Sequence, residues 1–182
     1  MPRLFTGIEL PESVAGAVAL ARGGVIGARW IEHEHYHITL RFVGEVDARA
    51  AQEIAETLND VRRPPIPVRF DGLGWFGGDK PRAIVARVKA DAALVELQAE
   101  HERRIRRIGL MPETRKFKPH VTLARLRGVR PVAVADFLGS RGRLDVEAFT
   151  AERFVLYSSK EGGGGPYVVE AAYPLGLGQI GS

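Results

Sequence analysis

The chain contains no cysteine, which excludes disulfides, thiolate metal ligands and a cysteine nucleophile together. It also lacks a long apolar run. The longest candidate, Val14 to Ala21, falls far short of the roughly 20 residues that a membrane-spanning helix needs. The first residues, MPRLFTGIELPE, turn acidic early and contain no apolar h-region, so a secretory signal peptide is not expected. No Pro- or Ser-rich linker or low-complexity tract divides the sequence. One domain spanning 1–182 is therefore expected, long enough to bury well over half of its unfolded surface. A cytoplasmic monomer with no membrane association is the default reading.

Charge is nearly balanced, with 26 Lys and Arg against 22 Asp and Glu. The net of +4 is carried largely by Arg, whose planar fork suits phosphate. This permits a nucleic-acid substrate without demanding one, since no continuous basic helix is present.

Hydrophobic periodicity divides the chain into alternating elements. Arg3 to Leu10 reads as a strand, and Pro11 opens a helix with Val14, Ala17, Val18 and Ala21 on its apolar face. A strand over His37 to Val43 precedes a helix capped by Asp47, with Ala51, Ile54, Leu58 and Val61 on one stripe. Ile66 to Phe76 and Arg82 to Val88 read as a hairpin around Gly77-Gly78-Asp79-Lys80-Pro81. Asp91 caps the longest helix, whose stripe is Leu94, Leu97, His101, Ile105 and Ile108, with Gly109 as its stop. A strand over His120 to Leu126, a short helix near Val132 to Leu138 and two strands flanking Gly162 to Gly165 complete an α+β arrangement. The four glycines read as a flexible hairpin tip, because no helix opening with Lys-Ser or Lys-Thr follows them.

Three of the five histidines alternate in His33-Glu34-His35-Tyr36-His37, which raises a metal site as one possibility. A different spacing is more informative. His37-Ile38-Thr39-Leu40 recurs as His120-Val121-Thr122-Leu123, 83 residues later, and each copy is followed by Arg and then Gly. Alternate strand residues share a face, so His37 with Thr39, and His120 with Thr122, project together while the intervening apolar residues enter the core. If the repeats face each other, two imidazoles and two hydroxyls converge on a volume suited to a phosphoryl group. A neutral imidazole can activate water while an imidazolium protonates the leaving oxygen. Thr hydroxyls can donate to the non-bridging oxygens.

The two His-x-Thr-x motifs, with RLFTGIELP, HITLRFVGEV, PRAIVARV, FKPHVTLARLR, FVLYSSK and GPYVVEAAYPL, closely resemble the 2H phosphoesterase superfamily. Within it they resemble the bacterial and archaeal RNA 2′,3′-cyclic phosphodiesterases, also called 2′-5′ RNA ligases. The resemblance spans essentially the whole chain. It implies a bilobal, pseudo-symmetric fold in which two antiparallel sheets line a central cleft, with helices outside. It also implies metal-independent hydrolysis of RNA 2′,3′-cyclic phosphate ends to 2′-phosphomonoesters, without a cofactor and with reversible 2′-5′ ligation as a related activity. Substrates of this class include tRNA fragments and small cyclic nucleotides. By carry-over His37 is the proton donor, His120 the proton acceptor, and Thr39, Thr122 and Arg125 bind phosphate. Parity places residue 125 on the face opposite His120 unless the strand bulges. Arg41, with the parity of Thr39, and Lys118, with that of His120, are candidate substrate contacts, and Trp30, Tyr36 and Phe42 are candidates to stack on a base.

Two other readings remain open at this level. His33, His35 and His37 on one strand face could ligate a metal, but no carboxylate stands at a suitable spacing. A non-catalytic RNA-binding module would use the basic surface alone, yet it has no need of matched His-Thr pairs and lacks an aromatic-rich RNA-binding strand.

Overall fold

The computed structural model describes residues 3–141, 143–160 and 166–176. In chain order the elements are β1 (Arg3–Glu9), α1 (Glu12–Ala19), β2 (Ala28–Trp30), a 3₁₀ turn (His33–His35), β3 (His37–Glu45), α2 (Ala48–Leu58), β4 (Ile66–Val68) and β5 (Phe70–Phe76). There follow β6 (Ala83–Val88), α3 (Ala92–Arg107), β7 (His120–Leu126), α4 (Pro131–Arg141), β8 (Phe149–Ala151), β9 (Arg153–Ser159) and β10 (Tyr167–Pro174). This is a mixed α+β fold with antiparallel sheets and, among the described residues, four α-helices. None of the described helices is long and apolar enough to cross a membrane.

The main sheet has eight strands in the order β10-β9-β1-β3-β7-β6-β5, with β2 also paired to β7. Its two halves meet at β3 and β7 through a single residue pair, Ile38 with Val121. Where the family resemblance implies two antiparallel sheets, the strands of both halves join in one main sheet with a narrow waist. The physical cause lies in the strands: the ladders of β3 and β7 with their outer neighbours shift register just past the waist, and such bulges bend a strand away from its partner.

One face of the sheet carries the helices. Ile38, Leu40, Ile84, Val121 and Leu123 pack with Val14 and Val18 of α1, Ile54 and Leu58 of α2, Leu94 and Leu97 of α3, and Val134 and Phe137 of α4 in one cluster. Each fully buried Ile or Leu contributes on the order of 1.5–3 kcal/mol. This burial fixes which face of the central strands is left for chemistry. A second, small cluster of Phe5, Val155 and Tyr157, with Tyr167 against it, sits apart from that core.

Local chemistry accounts for most element ends. Asp47 caps α2 by accepting from the Ala50 amide at 2.8 Å. Asp91 occupies the cap position of α3, but its carboxylate is drawn away by Arg69, at 2.6 and 2.9 Å. The helix opened by Pro11 ends at Ala19, short of Ala21. The strand expected over Ile66 to Phe76 is two strands, for β4 leaves to pair with β8 in a separate two-stranded sheet while β5 pairs with β6. Pro67 is tolerated in β4 because a two-stranded sheet is all edge. The β5–β6 turn depends on Gly77, whose φ of +109° suits glycine and where a Cβ would lie 2.3 Å from the Lys80 carbonyl oxygen. The tetraglycine between β9 and β10 lies outside the described residues.

Candidate active site

The waist of the sheet brings the two motifs together. Because β3 and β7 run antiparallel and pair at Ile38–Val121, the residues on either side of that pair, His37 and Thr39 on one strand and His120 and Thr122 on the other, are gathered at the waist. All four are half-buried, whereas Ile38, Leu40, Val121 and Leu123 are buried beneath them. The four groups therefore surround one point from two strands with local two-fold character.

The imidazoles are anchored identically. His37 Nδ1 bonds the carbonyl oxygen of His35 at 2.8 Å, and His120 Nδ1 bonds that of Lys118 at 2.6 Å. A carbonyl only accepts, so each Nδ1 carries the hydrogen and each Nε2 is left to take or give a proton. The groups that orient the rings are thus backbone carbonyls two residues before each histidine. His35 acts through its carbonyl while its ring stands edge-on to Tyr167 at 5.8 Å.

The surroundings of the two rings differ. Phe5, Tyr157 and Tyr167 enclose His37, with centroids at 5.0, 5.4 and 5.0 Å. Phe76 meets His120 edge-on at 4.6 Å. Burial among these rings pushes His37 down to about 4, opposed by the bond to His35 and reinforced by the charges of His120 and Arg125. Burial lowers His120 as well, against the bond to Lys118. At neutral pH both imidazoles are neutral in the free protein. Gly7, paired with Thr39, makes room for this packing, since a Cβ there would lie 2.7 Å from the Ile38 carbonyl oxygen and 3.2 Å from the Tyr157 ring.

The bulges decide the arginines. In β3 the partners of β1 pass from Thr39 to Arg41, omitting Leu40, and in β7 the partners of β6 pass from Thr122 to Ala124, omitting Leu123. Each extra residue reverses the parity of everything after it. Arg41, expected to share the Thr39 face, is instead only 6% exposed, and its guanidinium is held by the Glu102 carboxylate, the Phe42 carbonyl and the Met111 carbonyl. It is committed to the protein rather than free for substrate. Arg125, expected on the wrong face, is turned outwards to where its charge reaches His37. Phe42, the positional counterpart of Arg125 in the first motif, is likewise turned out.

A cavity of about 540 Å³ opens beside Thr39 and His120, walled in part by Phe42, Phe76, Arg82, Lys116 and Lys118. Tyr36 is buried and Trp30 packs on Phe137 at 5.6 Å, so of the three candidate stacking rings only Phe42 faces this cavity. His33 and His35 lie in the 3₁₀ turn and not in β3, so the alternation that would aim three imidazoles from one strand does not occur. Among the described residues no three His, Asp or Glu side chains gather in metal-holding geometry.

Comparison with known proteins places the chain in a family. The model described as LigT like phosphoesterase covers residues 8–85 and 87–168, so each of its two segments contains one His-x-Thr motif. The chain belongs to the LigT-like phosphoesterase family. Among its relatives, an RNA 2′,3′-cyclic phosphodiesterase of Aeropyrum pernix is 40% identical over 119 residues, which is 64% of this chain and 68% of the relative. One of Archaeoglobus fulgidus is 29% identical over 163 residues, 85% and 92% of the two chains. In fold, LigT of E. coli complexed with 3′-AMP aligns with a TM-score of 0.75 at 21% identity, over 97% of this chain and 99% of that one. A Thermus thermophilus protein aligns with a TM-score of 0.78 at 23% identity, over 94% and 97%. In this LigT-like chain the rings around His37 were not found by reading the sequence, because Phe5, Tyr157 and Tyr167 reach it only through the β3-β1-β9-β10 strand order. The His-x-Thr echo is the sequence signal for the candidate site.

Proposed function

We propose that this LigT-like phosphoesterase hydrolyses RNA 2′,3′-cyclic phosphate ends to 2′-phosphomonoesters by acid–base catalysis divided between His37 and His120. The observation that carries the reading is the matched anchoring of both histidines, each Nδ1–H on a carbonyl two residues earlier, beside Thr39 and Thr122 at the waist. The relatives' name, RNA 2′,3′-cyclic phosphodiesterase, agrees with it, and the 3′-AMP held by E. coli LigT agrees with a site that takes a nucleotide's ribose phosphate.

In the proposed step His120 Nε2 accepts a proton from water as the water oxygen bonds to phosphorus. The bond from phosphorus to the 3′ oxygen breaks, and protonated His37 gives its Nε2 proton to that oxygen. Thr39 and Thr122 donate to the non-bridging oxygens, and Arg125 offsets their charge. His37 is neutral in the free protein, so the acid must form in the complex, where the phosphodiester anion favours the imidazolium. When the 5′-hydroxyl of another strand takes the place of water in the same displacement, the same groups form a 2′-5′ linkage as the 3′ oxygen leaves, and the reverse of that step cleaves the linkage back to the cyclic phosphate. No step requires a metal ion. RNA ends such as tRNA fragments, and small cyclic nucleotides, present the phosphate this site accepts; Lys118 stands at its rim.

The test is incubation of the purified protein with a 2′,3′-cyclic-phosphate-ended oligonucleotide in EDTA, with the product assigned by phosphorus NMR. A 2′-phosphomonoester is expected. Turnover only after added zinc would favour a metal hydrolase, and binding without turnover would favour an RNA-binding module.

A further inference from the structure

The two flanks of the reacting centre carry opposite charge. On the His37 flank a hollow of about 330 Å³ is bordered by the exposed Glu12 and Glu34, and by Glu9, whose charge is neutralised by Arg153 at 2.7 and 3.0 Å. On the His120 flank, the cavity of about 540 Å³ presents Arg82 and Lys116, both exposed, and the ring of Phe42. Phe42 is 44% exposed, an uncommon condition for a Phe within a cleft, and the β3 bulge is what turns it there. Arg115 on the same rim is neutralised by Glu113, whose carboxyl it pulls down to about 2. Neither Arg82 nor Lys116 has such a partner among the described residues.

An RNA that ends in a cyclic phosphate extends from it in one direction only, towards its 5′ end. Phosphodiesters are repelled by the carboxylate flank and attracted by the cationic one. A flat exposed ring beside unpaired cations is the combination that binds single-stranded RNA without reading its sequence.

Resting on the phosphodiesterase reading above, we infer that the cavity of Phe42, Arg82 and Lys116 is a subsite for the nucleotide immediately upstream of the cyclic phosphate. The preferred substrate is then an oligonucleotide end and not a cyclic mononucleotide. Phe42 stacks the upstream base, and Arg82 and Lys116 meet the phosphodiester that links it.

The experiment compares kcat/KM for a dinucleotide and a mononucleotide with the same terminal base, both ending in a 2′,3′-cyclic phosphate, at several salt concentrations. The dinucleotide is expected to be better by about tenfold or more, with a salt slope steeper by about 0.7 per phosphate contact. Lys116→Glu, Arg82→Glu and Phe42→Ala should each erase most of that advantage while the mononucleotide rate holds. Equal kcat/KM for the two substrates, or variants that slow both alike, would overturn the subsite while leaving the phosphodiesterase reading intact. Should neither substrate turn over, that reading fails, and calorimetric binding of a 3′-phosphate-ended dinucleotide against the 3′-mononucleotide decides the subsite separately. Tighter dinucleotide binding lost in Lys116→Glu supports it; equal affinities overturn it.

Discussion

Removing the Arg41–Glu102 pair should disturb both halves of the candidate site, although neither residue is one of the His and Thr pairs at the waist. Arg41 is 6% exposed and Glu102 17%. The guanidinium ties Glu102 to the Phe42 carbonyl, at the β3 bulge, and to the Met111 carbonyl at 2.5 Å. The other Glu102 oxygen accepts the Glu113 amide at 3.0 Å. From there the chain runs on to Lys118, whose carbonyl orients His120. The pair thus bridges the strand of one histidine to the approach of the other. Breaking a buried pair on one side costs about 3–5 kcal/mol, and the partial exposure of Glu102 lowers this to about 2–4 kcal/mol for Glu102→Leu. Arg41→Met should cost less, about 1–3 kcal/mol, because Glu102 keeps the Glu113 amide and some solvent. In urea denaturation the double variant should fall short of the sum by more than about 1 kcal/mol. Turnover of a cyclic nucleotide should drop about tenfold or more in each single variant, as expected when a catalytic group is misplaced. Single variants within about 0.5 kcal/mol of wild type, or a cycle with no coupling, would refute this account of the pair.

Further outcomes follow from single contacts. Gly7→Ala places a methyl 2.7 Å from a backbone oxygen, so it should cost about 1–3 kcal/mol and depress turnover. Gly16→Ala in α1, with nothing within 4 Å, should be neutral or stabilising by up to about 1 kcal/mol in the same melts. His101 is buried, shares a hydrogen bond with the Thr6 hydroxyl at 2.9 Å, and is pushed down to about 3 by burial. Its unfolded counterpart titrates near 6.5, so between those values the unfolded state binds the extra proton. The stability it contributes is complete above pH ~6.5 and shrinks by up to about 1.4 kcal/mol per unit on acidification. Urea midpoints should therefore fall from pH 7 to pH 5, less steeply in His101→Gln; a rise on acidification would contradict the burial argument. With the imidazoles of His37 and His120 both lowered in the free protein, the proposed mechanism places the kcat/KM bell on the acid side of pH ~6.5, with the kcat profile shifted upwards once phosphate is bound. A kcat/KM optimum above pH ~8 would be inconsistent with those environments.

Strand parity and the His-x-Thr echo make the meeting of the two motifs legible, because a face buried against helices leaves the alternate residues on the other side. Parity then failed at Arg41 and Arg125 for one reason. A bulge inserts a residue that period-two counting does not register, so both arginines exchanged the faces expected for them. The ring enclosure of His37 was illegible for a different reason, since it depends on strand order and no local pattern encodes which strands become neighbours. The anchoring carbonyls of His35 and Lys118 carry no side-chain signature at all. They were visible only as positions two residues before each histidine. Asp91 had the right place for a cap, but a competing Arg from a distant strand captured its carboxylate.

The central claim is that His37 and His120 act as one acid–base unit. Its most direct test is the single-turnover rate of 2′,3′-cyclic phosphate hydrolysis, in EDTA, for His37→Ala, His120→Ala and the double variant, with folding checked by circular dichroism. Groups acting as a unit are strongly non-additive, so each single variant should lose nearly as much rate as the double. Near-wild-type turnover by either single variant would contradict the two-histidine mechanism.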